Sequence, residues 1–244
     1  MEGCTRQRVI PLFKKGKADN VDNCRPISVL PVVSKVLERA LHHQLYTYIQ
    51  CHKVLSPNQC GFRKCHSTEW AAMCFADTIR RNIDQGRLTG AVFIDLRKVF
   101  DTVNHEVLLS KLRGLGVMHR QHECFRNYLH NRTQVVEFQG VTSTAEPVSV
   151  RVQQRSILGP LLFILHLNDL LSAVVECNVL MYADDTVLFF SAPEVCTIEA
   201  TLVKELQPIE CSLRLNSLFI NVTKTEAMLF GTSQRLDKIS FQSV

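Results

Sequence analysis

The chain has 244 residues, room for one large domain or two small ones at roughly 100–200 residues each. Hydrophobic residues make up 46% and charged residues 21%, ordinary globular proportions that exclude disorder, collagen and a long coiled coil as the main architecture. The formal charge is +5, from 28 Lys and Arg against 23 Asp and Glu, which is compatible with a polyanion partner and equally with a solvated basic face.

The basic residues thicken at the front, where Arg6, Arg8, Lys14, Lys15, Lys17 and Arg25 face only Glu2, Asp19 and Asp22. Residues 32–49 predict a helix, with Val33, Leu37, Leu41 and Leu45 at i+4 steps as its apolar stripe and Val36 and Ala40 widening it. Ser67 to Gln85 predicts a second helix, with Glu69 suited to the first turn and Gly86 able to end it. Residues 90–96, Gly-Ala-Val-Phe-Ile-Asp-Leu, predict a short buried strand that closes on an acid. Asn104 can cap a helix through Leu112, which Gly114 or Gly116 would stop. A short helix near 121–129 and a strand pair near 134–141 and 147–152 follow. Pro160 suits the first turn of a helix to about Ala173. Two apolar runs over 179–190 predict a hairpin hinged at residues 183–186. A helix from about 196 to 207 meets Pro208, and a final hairpin is expected over 218–230. The alternation of helix and strand predicts one α/β or α+β unit.

No run of about 18 apolar residues is present, so no membrane span or membrane partner is expected. The longest apolar run, Ile157–Leu167, contains a proline and a histidine. The N-terminus lacks the apolar core of a signal peptide. The ten cysteines are irregularly spaced, which predicts free thiols in a reducing compartment and no disulfide-linked partner. The cluster Cys51-His52, Cys60 and Cys65-His66 lacks the C-x-x-C pairing of a zinc site.

Two places break the pattern. Asp95 closes a strand of buried character, and Asp184 and Asp185 sit side by side between two of the most apolar segments. A turn accepts one Asp readily. Two adjacent carboxylates repel each other and lose hydration near an apolar layer. A divalent cation relieves both problems, and two ions about 4 Å apart can drive phosphoryl transfer. An exposed acidic turn beside an unrelated strand-end Asp is the other reading of these residues.

At these residues a family resemblance enters. Tyr182-Ala-Asp-Asp-Thr186 resembles the palm hairpin of reverse transcriptases, and further blocks follow the order seen in those of non-LTR (LINE-type) retrotransposons. They are Asn23-Cys-Arg-Pro-Ile-Ser-Val-Leu-Pro31 with Ser34-Lys-Val-Leu-Glu-Arg39, then Gln59-Cys-Gly-Phe-Arg-Lys-Cys-His-Ser-Thr-Glu69. Phe93-Ile-Asp-Leu-Arg-Lys-Val-Phe-Asp-Thr-Val-Asn-His105 comes next. Ser156-Ile-Leu-Gly-Pro-Leu-Leu-Phe163 with Asn168-Asp-Leu170 precedes the hairpin, and Asn216-Ser-Leu-Phe-Ile-Asn-Val-Thr-Lys-Thr225 closes the series. The resemblance covers residues 8–231 as one reverse transcriptase domain, with residues 1–7 and 232–244 as short terminal extensions.

The resemblance implies an α+β right-hand polymerase with fingers and palm subdomains and an antiparallel palm sheet packed on helices; because the matched blocks stop at about residue 231, no thumb is expected. It implies an RNA-directed DNA polymerase that adds deoxynucleotides to a DNA primer on an RNA template by two-metal nucleotidyl transfer. Asp95, Asp184 and Asp185 match the metal-binding catalytic acids, with two Mg²⁺ ions and Mn²⁺ as a substitute. Four residues match positions near the incoming deoxynucleoside triphosphate. Arg25 can pair with phosphate, Phe100 matches an aromatic steric gate or else is a core aromatic, and Gln154 matches a family glutamine. Lys224 matches the lysine of the closing segment or else is a solvated turn lysine.

This copy departs from the family where Gly-Val-Pro-Gln-Gly-Ser is usual. Here the chain carries Arg151, Gln153 and Arg155 in place of Gly, Pro and Gly, and a glycine there allows a positive φ or a close backbone approach. Val99 replaces an Ala beside the gate, Ser212 replaces a Trp and Asn104 replaces an Asp. With the thumb missing, the chain is expected to be a truncated element copy. A catalytically inactive relic that binds nucleic acid or a partner protein is therefore the alternative function. The family acts at nuclear chromatin, although no import signal stands in the sequence.

Overall fold

The computed structural model describes residues 6–13, 23–97, 99–130, 132–148, 150, 152 and 156–239. In chain order the elements are β1 (Arg6–Phe13), β2 (Cys24–Val29), α1 (Val32–Cys51), α2 (Thr68–Asp84), β3 (Leu88–Ile94), α3 (Val99–Thr102), α4 (His105–Gly114), α5 (His119–Leu129), β4 (Thr133–Phe138), β5 (Val141–Thr142), β6 (Glu146–Pro147), α6 (Gly159–Leu167), β7 (Asn178–Tyr182), β8 (Asp185–Ala192), α7 (Val195–Leu215), β9 (Glu226–Phe230) and α8 (Ser233–Leu236). They divide into two compact units, each made from two stretches of chain. One takes residues 1–55 and 100–166, the other residues 56–99 and 167–244.

In the first unit, β1 pairs antiparallel with β2 and parallel with β4, and β5 and β6 both pair with β4. Its core is helical. Leu45 and Ile49 of α1, Leu108 and Leu112 of α4, Phe125 and Leu129 of α5, and Leu161 to Leu165 of α6 are all buried. Asn104 caps α4 as expected, its side-chain oxygen accepting the N–H groups of Glu106 and Val107.

Only the second half of the apolar stripe expected for α1 lies on its buried face, with Leu45 buried and Leu41 half-buried. Val33, Val36 and Leu37 are exposed, whereas Ser34 and Glu38 are buried with Leu45 and Ile49. The reason is a hydrogen-bond anchor stronger than the stripe. Glu38 is fully buried. Its Oε1 accepts from the Tyr128 hydroxyl at 2.8 Å and its Oε2 from the Ile157 N–H at 2.7 Å. Rotating the helix to bury Val33 and Leu37 would break both bonds and leave two donors unpaired, at about 1–3 kcal/mol each.

The second unit is a four-stranded antiparallel sheet in the order β7-β8-β3-β9. Side chains alternate between the faces of a strand, and each face of β3 meets a different helix. On one face Phe75 of α2 packs edge-on against Phe93, Phe189 and Phe230, with centroids 6.0, 5.1 and 5.8 Å away. On the other, α7 lies so close over Gly90 that a Cβ there would stand 2.3 Å from Ile198 Cγ2. That approach explains a glycine in the middle of a buried strand.

Two expectations are corrected here. Helix α7 does not stop at Pro208 but runs through it to Leu215. A proline inside a helix costs about 3 kcal/mol, and the burial of Ile209 and Leu213 beyond it offsets that cost. The final hairpin also does not form. Ile220 bridges to Leu96, and β9 pairs with β3 instead, because β3 offers it a longer ladder, from Thr89 to Phe93, than the 218–221 segment could.

Burial, and next the Glu38 carboxylate, push the Tyr128 phenol well above its ordinary value of 10.0. The neutral phenol therefore contributes stability that is fully present below that ordinary value and is lost as pH rises past it. The stability advantage of the wild type over Tyr128→Phe is expected to shrink above about pH 10, measured by urea unfolding at stepped pH; a constant difference would refute the coupling. Glu38→Ala is expected to cost about 1–3 kcal/mol for each donor left unpaired, read in the same assay, and an unchanged midpoint would show that the anchor is unimportant.

Candidate active site

Strands β7 and β8 form the expected hairpin. Tyr182 is opposite Asp185, so the tip is Ala183 and Asp184 alone. Ala183 adopts φ +59°. Its Cβ makes this left-handed conformation cost about 1–2 kcal/mol, so something must hold it. The side-chain amide of Gln59 does. Gln59 Oε1 accepts the Ala183 N–H at 3.1 Å, and its Nε2 donates to the Ala183 carbonyl at 3.3 Å. The 58–60 segment is itself stitched to β7. The Cys60 N–H donates to Met181 O at 2.8 Å, and the Met181 N–H donates to Asn58 O at 2.9 Å. Two residues on, Gly61 lies against the tip, and a Cβ there would stand 2.0 Å from Ala183 N.

The first acid reaches the same place through the sheet. Ile94 of β3 is opposite Thr186 of β8, so the antiparallel register carries Asp95 to the level of Asp185. The ladder itself ends at that pair, and Asp95 follows it as the first residue beyond β3. Asp95 is half-buried, Asp184 is half-buried and Asp185 is exposed. The Asp95 carboxylate is oriented through one oxygen, its Oδ2 accepting from Asn221 Nδ2 at 2.7 Å. The Asp95 carbonyl accepts the Asn221 N–H at 2.8 Å, and its own N–H donates to Thr225 Oγ1 at 3.4 Å.

The other expected residues are placed as follows. Lys224 is exposed at the end of a single 3₁₀ turn, Val222–Lys224. Its N–H donates to Asn221 O at 3.0 Å, so the lysine stands one turn after the residue that orients Asp95. Phe100 belongs to the first unit, in α3, half-buried with its ring 4.6 Å from that of Phe163. Its carbonyl accepts the Val152 N–H at 2.8 Å. The backbone of Arg25 pairs with Leu12 in the β1–β2 ladder. Gln154 lies outside the described residues, as do Arg151, Gln153 and Arg155. Among the described residues no group of three or more His, Cys, Asp and Glu forms a ready-made metal cage. The donor chemistry of Asp95, Asp184 and Asp185 nevertheless suits a hard cation, since all three offer carboxylate oxygens.

Three residues that stand in the family-like blocks but were given no role from the sequence carry this geometry: Gln59, Gly61 and Asn221. A Gln two residues before a Gly is an unremarkable loop pattern, and only their contacts across more than a hundred residues of chain reveal their work.

Residues 13–242 match the profile of the reverse transcriptase (RNA-dependent DNA polymerase) family. The chain belongs to that family. A probable RNA-directed DNA polymerase from transposon BS of Drosophila melanogaster is 30% identical over 192 residues, covering 75% of this chain and 21% of that protein. The RNA-directed DNA polymerase from mobile element jockey of the same species is 27% identical over 231 residues, covering 91% of this chain and 25% of that protein. This reverse transcriptase is thus of the non-LTR, LINE type, and it spans about a fifth to a quarter of these relatives. A telomerase from Candida tropicalis, solved in complex with the TWJ fragment of telomeric RNA, shares the fold. Its TM-score is 0.64 at 12% identity, over 93% of this chain and 41% of that one.

In this reverse transcriptase, Gly61→Ala is expected to destabilise more than Gly140→Ala. At Gly140 the added Cβ meets open space at φ +80°, so only the left-handed cost of about 1–2 kcal/mol applies. At Gly61 the added Cβ meets main chain that cannot give. Thermal unfolding of the two variants compares them, and equal losses would refute the close approach.

Proposed function

We propose that the chain performs RNA-templated addition of deoxynucleotides to a DNA 3′ end, with the β7-β8-β3-β9 sheet as palm and the β2-β1-β4 sheet as part of the fingers. The observation that carries this reading is the register of β3 with β8, which brings Asp95 level with Asp185 at the foot of the Asp184-Asp185 tip.

Asp95, Asp184 and Asp185 would hold Mg²⁺, with Mn²⁺ able to replace it. Such ions polarise the attacking hydroxyl and offset charge on the leaving oxygen. The rest falls to the chain's own side chains. Asn221 keeps one Asp95 oxygen engaged, so the carboxylate presents the other in a constant direction. Lys224, exposed beside it, offers a cation to triphosphate or primer phosphate. The guanidinium of Arg25 can pair with phosphate oxygens in a two-pronged manner. Phe100, braced on Phe163, would present a rigid ring to the sugar and exclude a 2′-hydroxyl by volume. Gln154, by its match to the family glutamine, would be a further nucleotide contact. RNA template, DNA primer and deoxynucleoside triphosphates are the partners.

Purified chain with a primed RNA template, deoxynucleotides and Mg²⁺ or Mn²⁺ is expected to extend the primer. Replacing Asp184 and Asp185 together by Asn is expected to reduce extension by on the order of 10³-fold, the equivalent of several kcal/mol of lost charge stabilisation. Extension no greater than in that double variant, with salt-dependent RNA binding left intact, would sink the polymerase reading and favour a nucleic-acid-binding relic.

A further inference from the structure

We propose that Gln59 is a positioning residue for the paired carboxylates: its amide locks Ala183 in the left-handed turn that presents Asp184 and Asp185. This rests on the reading of those two acids as metal ligands. The geometry is specific to glutamine. Oε1 accepts two backbone N–H groups, from Gly61 at 2.8 Å and Ala183 at 3.1 Å, while Nε2 donates to the Ala183 carbonyl at 3.3 Å. Acceptor and donor are therefore needed on one planar group. A glutamate would set a second oxygen against the carbonyl, and an asparagine would be one methylene short.

Gln59 is 1% exposed, and a buried polar group persists only when its partners satisfy it. Here the partners are both polar groups of the one tip residue whose backbone is strained. A glycine at 183 would hold a positive φ unaided; this chain has alanine, so the turn depends on an external clamp. Gly61 keeps that clamp close by leaving no side chain between the two segments. The motif Gln59-Cys-Gly61 thus acts on the hairpin from more than a hundred residues away.

The test uses the full chain. Gln59→Ala is expected to speed hydrogen exchange at the 183–185 amides while β3 amides keep their protection. It is expected to weaken Mn²⁺ binding, measured with the metal alone by electron paramagnetic resonance, by about 10–100-fold. Primer extension is expected to slow by on the order of 10²-fold, the cost of a displacement of about 1 Å. Adding Ala183→Gly to Gln59→Ala, which frees the turn from its need for a clamp, is expected to restore most of the Mn²⁺ affinity and extension. Gln59→Glu keeps the volume and the acceptor but loses the donor, and it is expected to show the same losses if Gln59→Ala does not fold. Unchanged tip exchange and Mn²⁺ affinity would overturn the proposal. So would losses that Ala183→Gly fails to relieve, since Gln59 would then be a packing residue alone. A wild-type chain that extends no primer would count against the polymerase reading, while the exchange and Mn²⁺ measurements would still decide the clamp.

Discussion

The antiparallel register between β3 and β8 is the constraint on which the site depends. Ile94 opposite Thr186 and Leu88 opposite Ala192 are the two ends of one continuous ladder. A slip of one residue would turn every β3 side chain to the opposite face. Phe93 would leave Phe75, Gly90 would no longer lie beneath Ile198, and Asp95 would no longer stand level with Asp185. The packing on both faces of the sheet thus holds the register, and the register places the acid. Burial and chemistry are coupled through a single row of backbone hydrogen bonds.

A second theme is the use of buried polar side chains to hold irregular backbone. Glu38 receives the Ile157 N–H just before α6. Glu205, on α7, accepts the N–H groups of Val175 and Glu176 ahead of β7, at 2.8 and 3.4 Å. Burial, with the Glu205 and Glu176 carboxylates adding to it, pushes the neighbouring Cys177 thiol up to about 12. Gln59 does the same work for the hairpin tip. In each case a helix or loop side chain replaces the water that a turn would otherwise need. Removing the side chain exposes that need rather than merely deleting a contact.

The shared fold with a telomerase at 12% identity fits this account. Few positions are dictated by chemistry, and most are dictated by being apolar on the correct face. Phe75, Phe93, Phe189 and Phe230 could be exchanged for other large apolar groups while the register survived. Gln59, Gly61 and Asn221 could not, because each is defined by a donor, an acceptor or an absent Cβ rather than by volume.

The sequence by itself determined the strand closing on Asp95, the Asp184-Asp185 hairpin, the α2 and α4 boundaries and the family. These follow from local period, capping residues and motif order, all carried by neighbours in the chain. It did not determine which face the first turns of α1 bury, that α7 passes through Pro208, or that β9 pairs with β3. Each of those was settled by a competition between distant partners: the carboxylate anchor of Glu38 against an apolar stripe, the burial of Ile209 and Leu213 against a missing hydrogen bond, and the edge of β3 against a short local strand. The clamp of Gln59 on Ala183 belongs with them. Its two ends lie more than a hundred residues apart, and only the folded sheet brings an ordinary loop glutamine to the one strained residue of the tip.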